Sequence, residues 1–289
     1  DSLRVRSRVL GEISEECSAL TEEVAVHDAV ISIQGEDSAE ITNGRIKAVL
    51  YRQGWGNALQ ITFYNEKGEV LLQEIPNGGA LCLKARYFRS LAGGSFYLKA
   101  SFQSNDKEKL YGMGQYQQER MNLKGCNLEL AHRNSQASVP FYVSSLGYGF
   151  LWNNPAVGEV HFGTNTTEWE AWSTDQLDYW ITAGERPGDI ERNYAEVTGK
   201  APMMPEYGLG FWQCKLRYWN QEQLLSVARK YKELGVPLDV IVVDFFHWTK
   251  QGEFKFDPKY WPDVPGMCFI PFGASCSTGK YFRNGIRSW

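Results

Sequence analysis

One segment, residues 238–248, limits the fold of this chain more than any other part of the sequence. It reads Leu-Asp-Val-Ile-Val-Val-Asp-Phe-Phe-His-Trp, and its apolar, largely β-branched first half is typical of a strand buried on both faces. The strand stops at Asp244, and Phe245, Phe246 and Trp248 follow it. Because the residue at the carboxyl end of an α/β-barrel strand points into the active site, this pattern predicts a carboxylate walled by aromatic rings, as in a sugar site. The competing interpretation is a buried hydrophobic strand that ends at a polar residue with no role in a site.

The composition is that of a packed protein without a nucleic-acid or membrane partner. Hydrophobic residues make up 43% of the chain, charged residues 22%, and the formal net charge is −4. No cluster of Lys and Arg lies on a periodic face, which argues against binding to nucleic acid or anionic membranes. No apolar run approaches the roughly 20 residues of a membrane helix. The 10 tryptophans suit either a carbohydrate surface or a β-sandwich core, and the core is the favoured explanation.

The N-terminus and the cysteines predict a cytoplasmic location. The first residues lack the apolar centre of a signal peptide, although a chain that starts without Met leaves a removed leader open. The 6 cysteines show no CxxC pairing and predict reduced core thiols. The 4 histidines are far apart in the sequence, so we expect no metal site.

The first 200 residues have the pattern of an all-β sandwich. Short runs alternate between apolar and polar residues, for example at 46–51, 58–64 and 96–102. Turn sequences such as those at 43–44 and 65–68 separate the runs. Many short strands at this spacing are typical of two packed sheets.

The pattern changes at residues 201–205, where two prolines mark a linker. Beyond it, residues 208–214 predict a strand and residues 220–234 a helix, with Asn220 as its N-cap and Gly235 as its C-cap. The strand from Leu238 follows at once. A strand, a crossover helix and a second strand predict a parallel pair.

Five longer motifs stand out along the chain: LYGMGQ at 110–115, VPF at 139–141, GYGFLWNNP at 147–155, GLGFWQ at 208–213 and VVDFFHW at 242–248. They occur in the order that glycoside hydrolase family 31 carries them, and the chain resembles this family from about residue 3 to residue 263. The α-xylosidase and α-glucosidase branch is the most similar. Shorter matches to the family are LRVR at residues 3–6, FDP at 256–258 and WPD at 261–263.

The resemblance implies a galactose-mutarotase-like β-sandwich over residues 1–200 and the first βαβ portion of a (β/α)8 TIM barrel over residues 201–263. It implies a retaining hydrolase of terminal α-linked xylose or glucose, with an α-linked oligosaccharide or glycoside as substrate. It implies no metal and no organic cofactor, and the full-length enzyme could form homo-oligomers. A non-catalytic carbohydrate-binding or structural β-sandwich is the alternative. A complete small enzyme that pairs Glu129 with Asp244 is disfavoured, because the two carboxylates would have to meet without a closed barrel.

The same resemblance implies the residues of the site. Asp244 would hydrogen-bond sugar hydroxyls in the −1 subsite, with Phe245, Phe246 and Trp248 as its wall. The loop after the first barrel strand would edge the pocket, and a sandwich loop between Met121 and Asn134 would cover the barrel mouth. Several relatives carry an Asp in that sandwich loop, whereas this chain has no Asp between Asp106 and Asp175. The polar candidates are Lys215, Arg217 and Tyr218 in the barrel loop and Glu129, His132, Arg133 and Asn134 in the sandwich loop.

The end of the sequence departs from the family. The residues after Pro205 amount to about a third of the roughly 250 that a complete barrel takes, and no family motif for the nucleophile or the acid/base is present. Pro265, Gly266 and Pro271 oppose a helix within residues 264–273, and a polar tail follows to residue 289. We therefore expect a truncated form with a divergent tail, with Trp212, Phe245 and Trp248 partly exposed and no activity on its own.

Overall fold

The computed structural model describes residues 1–14, 19–21, 29–53, 58–244 and 247–269. It divides into two compact units, Asp1–Ala201 and Pro202–Trp289. Phe245, Phe246 and most of the predicted tail lie outside the described residues. No helix in the described ranges is long and apolar enough to cross a membrane.

The first unit is built of antiparallel strands in three five-stranded sheets. The orders are β1-β15-β12-β11-β9, β10-β13-β14-β8-β7 and β2-β3-β4-β5-β6. The strands are β1 (Ser2–Arg8), β2 (Val30–Gln34), β3 (Ser38–Asn43), β4 (Ile46–Gln53), β5 (Ala58–Asn65), β6 (Val70–Gln73), β7 (Arg86–Ser90), β8 (Phe96–Gln103), β9 (Leu110–Gln115), β10 (Asn127–Leu130), β11 (Ala137–Ser144), β12 (Tyr148–Trp152), β13 (Gly158–Phe162), β14 (Thr166–Thr174) and β15 (Gln176–Ala183). The all-β sandwich that the alternation predicts is confirmed.

Aromatic rings from facing sheets fill the core of this unit. Phe102 on β8 lies 5.6 Å from Phe150 on β12, and Trp169 on β14 lies 5.2 Å from Phe150, both measured between ring centroids. The inner positions of β13 and β14 are buried and their outer positions only half-buried, because one face of that sheet packs on the core and the other faces water. The favoured explanation for most of the aromatic content, a sandwich core, fits these contacts.

A helix that the sequence analysis did not predict packs on the sheet β1-β15-β12-β11-β9, on the face opposite the aromatic core. It is α1 (Pro187–Thr198), and its Ile190 and Val197 pack with Leu151 and Trp180. Strand β12 is consequently buried on both faces. The signal was in the sequence, because Pro at the first helical position and Asp189, which accepts a hydrogen bond from the backbone N–H of Arg186 at 3.1 Å, are both typical of a helix N-terminus.

A buried ion pair joins β7 to the end of β6. Glu74 is 1% exposed, its carboxylate accepts a hydrogen bond from the backbone N–H of Ile61 at 3.0 Å, and Arg86 Nε lies 3.1 Å from the same carboxylate. Burial raises the pKa of Glu74 to about 7, against the opposing attraction of the Arg86 guanidinium. The folded unit therefore holds a proton here that the unfolded chain releases at lower pH.

This carboxyl group predicts a pH-dependent stability. A pKa raised on folding stabilises the fold fully below the ordinary value of 4.5, and the contribution is lost as the pH rises through about 7. The loss is on the order of 3 kcal/mol. Urea unfolding of the first unit, followed by near-UV circular dichroism from pH 4.5 to pH 8, should show this loss in the wild type and not in Glu74→Gln. The exposed Glu69→Gln is the control, and parallel pH profiles for all three proteins would contradict the prediction.

The second unit contains the predicted parallel pair. Strand β16 (Trp212–Cys214) pairs with β17 (Val240–Val242), with Trp212 opposite Val240, and α2 (Gln221–Glu233) crosses between them. Asn220 Oδ1 accepts a hydrogen bond from the backbone N–H of Gln223 at 2.9 Å, which confirms it as the N-cap. The strand predicted from residue 208 is wrong for its first half, because a 3-10 turn occupies Glu206–Leu209.

The expectation that Pro265 and Gly266 oppose a helix is also wrong, since α3 spans Val264–Phe269. Asp263 Oδ1 accepts a hydrogen bond from the backbone N–H of Gly266 at 2.9 Å. Pro265 lies in the first turn, where its missing N–H would have no partner within the helix in any case. A short helix can therefore begin here despite both residues.

The connection between the units predicts a single preferred site for proteolysis. Residues 199–207 are almost entirely exposed, with Met203 92% exposed, and no helix or strand spans them except the start of the 3-10 turn. Among the described residues of the second unit, the buried core cluster is small and consists of Tyr218, Leu224, Leu225, Trp261 and Met267. Limited trypsin digestion should cleave after Lys200 and leave a resistant first unit. In Lys200→Gln this cut should disappear, and a trypsin-resistant full-length wild type would contradict the prediction.

Candidate functional site

Asp244 follows β17 at the edge of the sheet where parallel strands place their carboxyl ends. Because β16 and β17 are parallel, the loop after Cys214 leaves the sheet at the same edge. Asp244 is half-buried. Its backbone carbonyl accepts hydrogen bonds from His247, 2.7 Å from Nδ1 and 3.3 Å from the backbone N–H. His247 therefore bonds back to the backbone of Asp244, three residues earlier.

Aromatic side chains surround His247 and Trp248. The His247 ring lies 4.4 Å from the ring of Phe256, and the Trp248 ring lies 4.9 Å from Phe254 in an edge-to-face arrangement. Trp248 and Phe256 also form an isolated β-bridge. The His247 ring thus has a structural hydrogen bond to the backbone of Asp244, and half-buried Trp248 stays a candidate for the aromatic wall. Phe245 and Phe246, the other two wall candidates, fall outside the described residues.

The three residues predicted in the loop after β16 differ in burial. Lys215 is exposed, and the guanidinium carbon of Arg217 lies 3.8 Å above the ring of Trp219, a close cation–π contact. Tyr218 is only 3% exposed and packs with Leu224 and Trp261. The structure therefore places Tyr218 in the core beneath the loop, not at an edge open to solvent.

Of the four predicted polar residues of the first unit, Glu129 lies on β10, and the other three lie on the tight hairpin that follows, in which Arg133 pairs with Gln136. The Arg133 guanidinium donates two hydrogen bonds to the Glu129 carboxylate, at 3.0 Å from Nε and 2.5 Å from Nη2. Arg133 and Gln136 exchange backbone hydrogen bonds around Asn134 and Ser135. His132 Nδ1 accepts a hydrogen bond from the backbone N–H of Ser138 at 3.3 Å. The hairpin presents His132, Arg133 and Asn134 to solvent and holds Glu129 in an ion pair.

A shallow cavity of about 430 Å³ lies beside this hairpin. His132 and Arg133 line one side of it, and Asn153 and Asn154 line another. Asn153 is buried and donates a hydrogen bond to Asp178 Oδ2 at 3.0 Å. The two asparagines belong to the GYGFLWNNP motif, but the sequence prediction did not assign them to a site.

Several carboxylates of the second unit have structural roles. Asp239 accepts a hydrogen bond from the backbone N–H of Phe211 at 2.9 Å, and Asp257 accepts one from the backbone N–H of Lys259 at 2.9 Å. Asp263 begins α3 in the same way. Within the described ranges, no group of three His, Cys, Asp or Glu side chains could hold a metal ion.

Two family models match this chain. Residues 3–160 match the glycosyl hydrolase 31 N-terminal galactose mutarotase-like domain, and residues 201–269 match the TIM-barrel domain of glycosyl hydrolases family 31. The first match alone spans more than half of the sequence. The chain belongs to glycoside hydrolase family 31, with a mutarotase-like sandwich and the start of the family's barrel.

The relatives come from the branch that the motifs indicated. The chain is 45% identical to an uncharacterized family 31 glucosidase, ORF2, of Pseudescherichia vulneris, over 92% of this chain and 52% of the relative. It is 34% identical to alpha-xylosidase A of Aspergillus niger, over 81% and 32%. A solved family 31 alpha-xylosidase from a soil metagenome, complexed with xylose, matches with a TM-score of 0.82 and 48% identity over 92% of this chain and 41% of that one. The chain spans about half the length of such relatives, or less.

Proposed function

We propose that this chain forms part of a retaining α-glycosidase that hydrolyses terminal α-linked xylose or glucose. The observation that carries the proposal is the position of Asp244, at the carboxyl end of a parallel strand in a family 31 barrel domain. The aromatic contacts of His247 and Trp248, which follow it in the sequence, support the same function. In this proposal Asp244 accepts hydrogen bonds from sugar hydroxyls, and Trp248 covers the apolar face of the ring.

The retaining reaction explains what Asp244 contributes. A carboxylate nucleophile attacks the anomeric carbon while a carboxylic acid protonates the leaving oxygen, and water then hydrolyses the covalent glycosyl intermediate. Hydrogen bonds to the sugar hydroxyls strengthen as positive charge develops on the ring. An ionised carboxylate that receives those hydroxyls therefore stabilises the transition state without forming a covalent bond.

We assign neither the nucleophile nor the acid/base to a residue of this chain. A retaining pair needs two carboxyl groups about 5–5.5 Å apart, whereas Asp239, Asp257 and Asp263 are each engaged by a backbone N–H. The Glu129 carboxylate is held by Arg133. We therefore assign one wall of the sugar pocket to this chain and the nucleophile and acid/base to residues outside it.

Similarity favours the xyloside as the first substrate to test. The Aspergillus niger relative is an alpha-xylosidase, and the soil metagenome alpha-xylosidase was solved with xylose. Both are more than 30% identical to this chain.

Hydrolysis of aryl α-xyloside and aryl α-glucoside by the purified chain tests the assignment. We expect no turnover above that of Asp244→Ala, because a sugar-binding wall without a nucleophile and an acid cannot cleave the bond. Turnover that scales with the protein concentration and disappears in Asp244→Ala would contradict the assignment, since a working acid pair would then lie within this chain.

A further inference from the structure

The outer face of the sheet β10-β13-β14-β8-β7 carries aromatic rings on three neighbouring strands. They are Tyr87 on β7, Tyr97 on β8 and Trp172 on β14, and Trp172 is 43% exposed. The pairing of β14 with β8 shifts between Ala171 and Thr174, so that Trp172 and Ser173 together face Tyr97. Side chains alternate along a strand, so Trp172, which follows buried Ala171, lies on the outer face. Adjacent strands are about 4.8 Å apart, so the three rings extend over more than one pyranose ring.

Cations hold two of these rings in place. The guanidinium carbon of Arg89 lies 4.9 Å from the centroid of Tyr97, and Lys84 Nζ lies 5.7 Å from the centroid of Tyr87. The rings of Tyr87 and Tyr97 are 6.4 Å apart in an edge-to-face arrangement. Contacts of this kind fix the ring orientation before any ligand binds.

Hydrogen-bonding groups alternate with the rings. Lys99 Nζ lies 3.0 Å from the carboxylate of Glu168 and 3.0 Å from that of Glu170. Burial and a hydrogen bond to Glu170 raise the pKa of Tyr97 to about 12, so the hydroxyl keeps its proton at neutral pH. The carboxylate oxygens of Glu168 and Glu170 retain lone pairs for sugar hydroxyls.

We propose that this outer aromatic face, formed by Tyr87, Tyr97, Trp172, Lys99, Glu168 and Glu170, binds a neutral oligosaccharide or polysaccharide chain. Three carboxylates, Glu159, Glu168 and Glu170, balance the three cations Lys84, Arg89 and Lys99 around this face, which suits an uncharged, hydroxyl-rich ligand and not a polyanion. A protein interface would have an apolar core depleted of charge, whereas here charged groups lie between the rings. The choice of carbohydrate rests on the proposed function, and the surface would bring the chain to a polymeric substrate.

Affinity electrophoresis in native gels containing xyloglucan, a neutral polysaccharide that bears α-linked xylose, tests the surface. The wild type should be retarded, and Trp172→Ala should weaken the apparent affinity about tenfold, because it removes the most exposed ring. Trp172→Phe should restore part of the retardation. Tyr64→Ala is the matched control, since Tyr64 also stacks under a cation, Lys47 at 5.5 Å, but on the sheet β2-β3-β4-β5-β6.

An Asp244→Ala variant separates this inference from the proposed function. Retardation that persists in Asp244→Ala and is lost in Trp172→Ala supports the outer aromatic face, whatever the hydrolysis assay shows. The inference is wrong if the wild type is not retarded, if only Asp244→Ala abolishes retardation, or if Tyr64→Ala loses as much affinity as Trp172→Ala. Near-UV circular dichroism of each variant confirms that the sandwich is folded.

Discussion

The parallel pairing of β16 with β17 is the constraint on which the functional assignment depends. Trp212 lies opposite Val240, and the carboxylate of Asp239 accepts a hydrogen bond from the backbone N–H of Phe211 just before the pair begins. This register places Asp244 and the loop that carries Lys215 at one edge of the sheet. A one-residue shift of β17 would turn every side chain of the strand to its other face. The sugar-binding role of Asp244 therefore depends on backbone pairing as much as on the carboxylate.

The sandwich uses its aromatic residues in two ways. Trp152 and Trp169 stack in the core with ring centroids 5.5 Å apart, and both are fully buried. Trp172 lies three residues after Trp169 on the same strand, so the alternation of side chains places it on the outer face. A family 31 sandwich can thus stabilise its fold with one set of rings and present another set to solvent.

Local patterns in the sequence were sufficient for much of the architecture. Alternation predicted the sandwich, and Asn220 and the apolar spacing predicted α2, because these signals act over a few residues. The family motifs placed Asp244 in register. The burial of Tyr218 was not predictable in this way, because it depends on Trp261, which is distant in sequence. The outer aromatic face was missed for the same reason, since it exists only once β7, β8 and β14 are paired. The short helix α3 was missed because the composition of residues 264–266 outweighed the capping signal of Asp263.

The central claim, that Asp244 binds sugar in a family 31 pocket, is tested most directly by completing the barrel. Residues 1–263 of this chain would be joined to the remaining barrel of the soil metagenome alpha-xylosidase, to which the chain is 48% identical. We predict that the chimera hydrolyses aryl α-xyloside, and that Asp244→Ala lowers its kcat/KM by about 10- to 100-fold. Asp257→Asn, which alters a carboxylate that accepts a backbone N–H, is the matched control. A folded, active chimera whose kcat/KM is unchanged by Asp244→Ala would contradict the account.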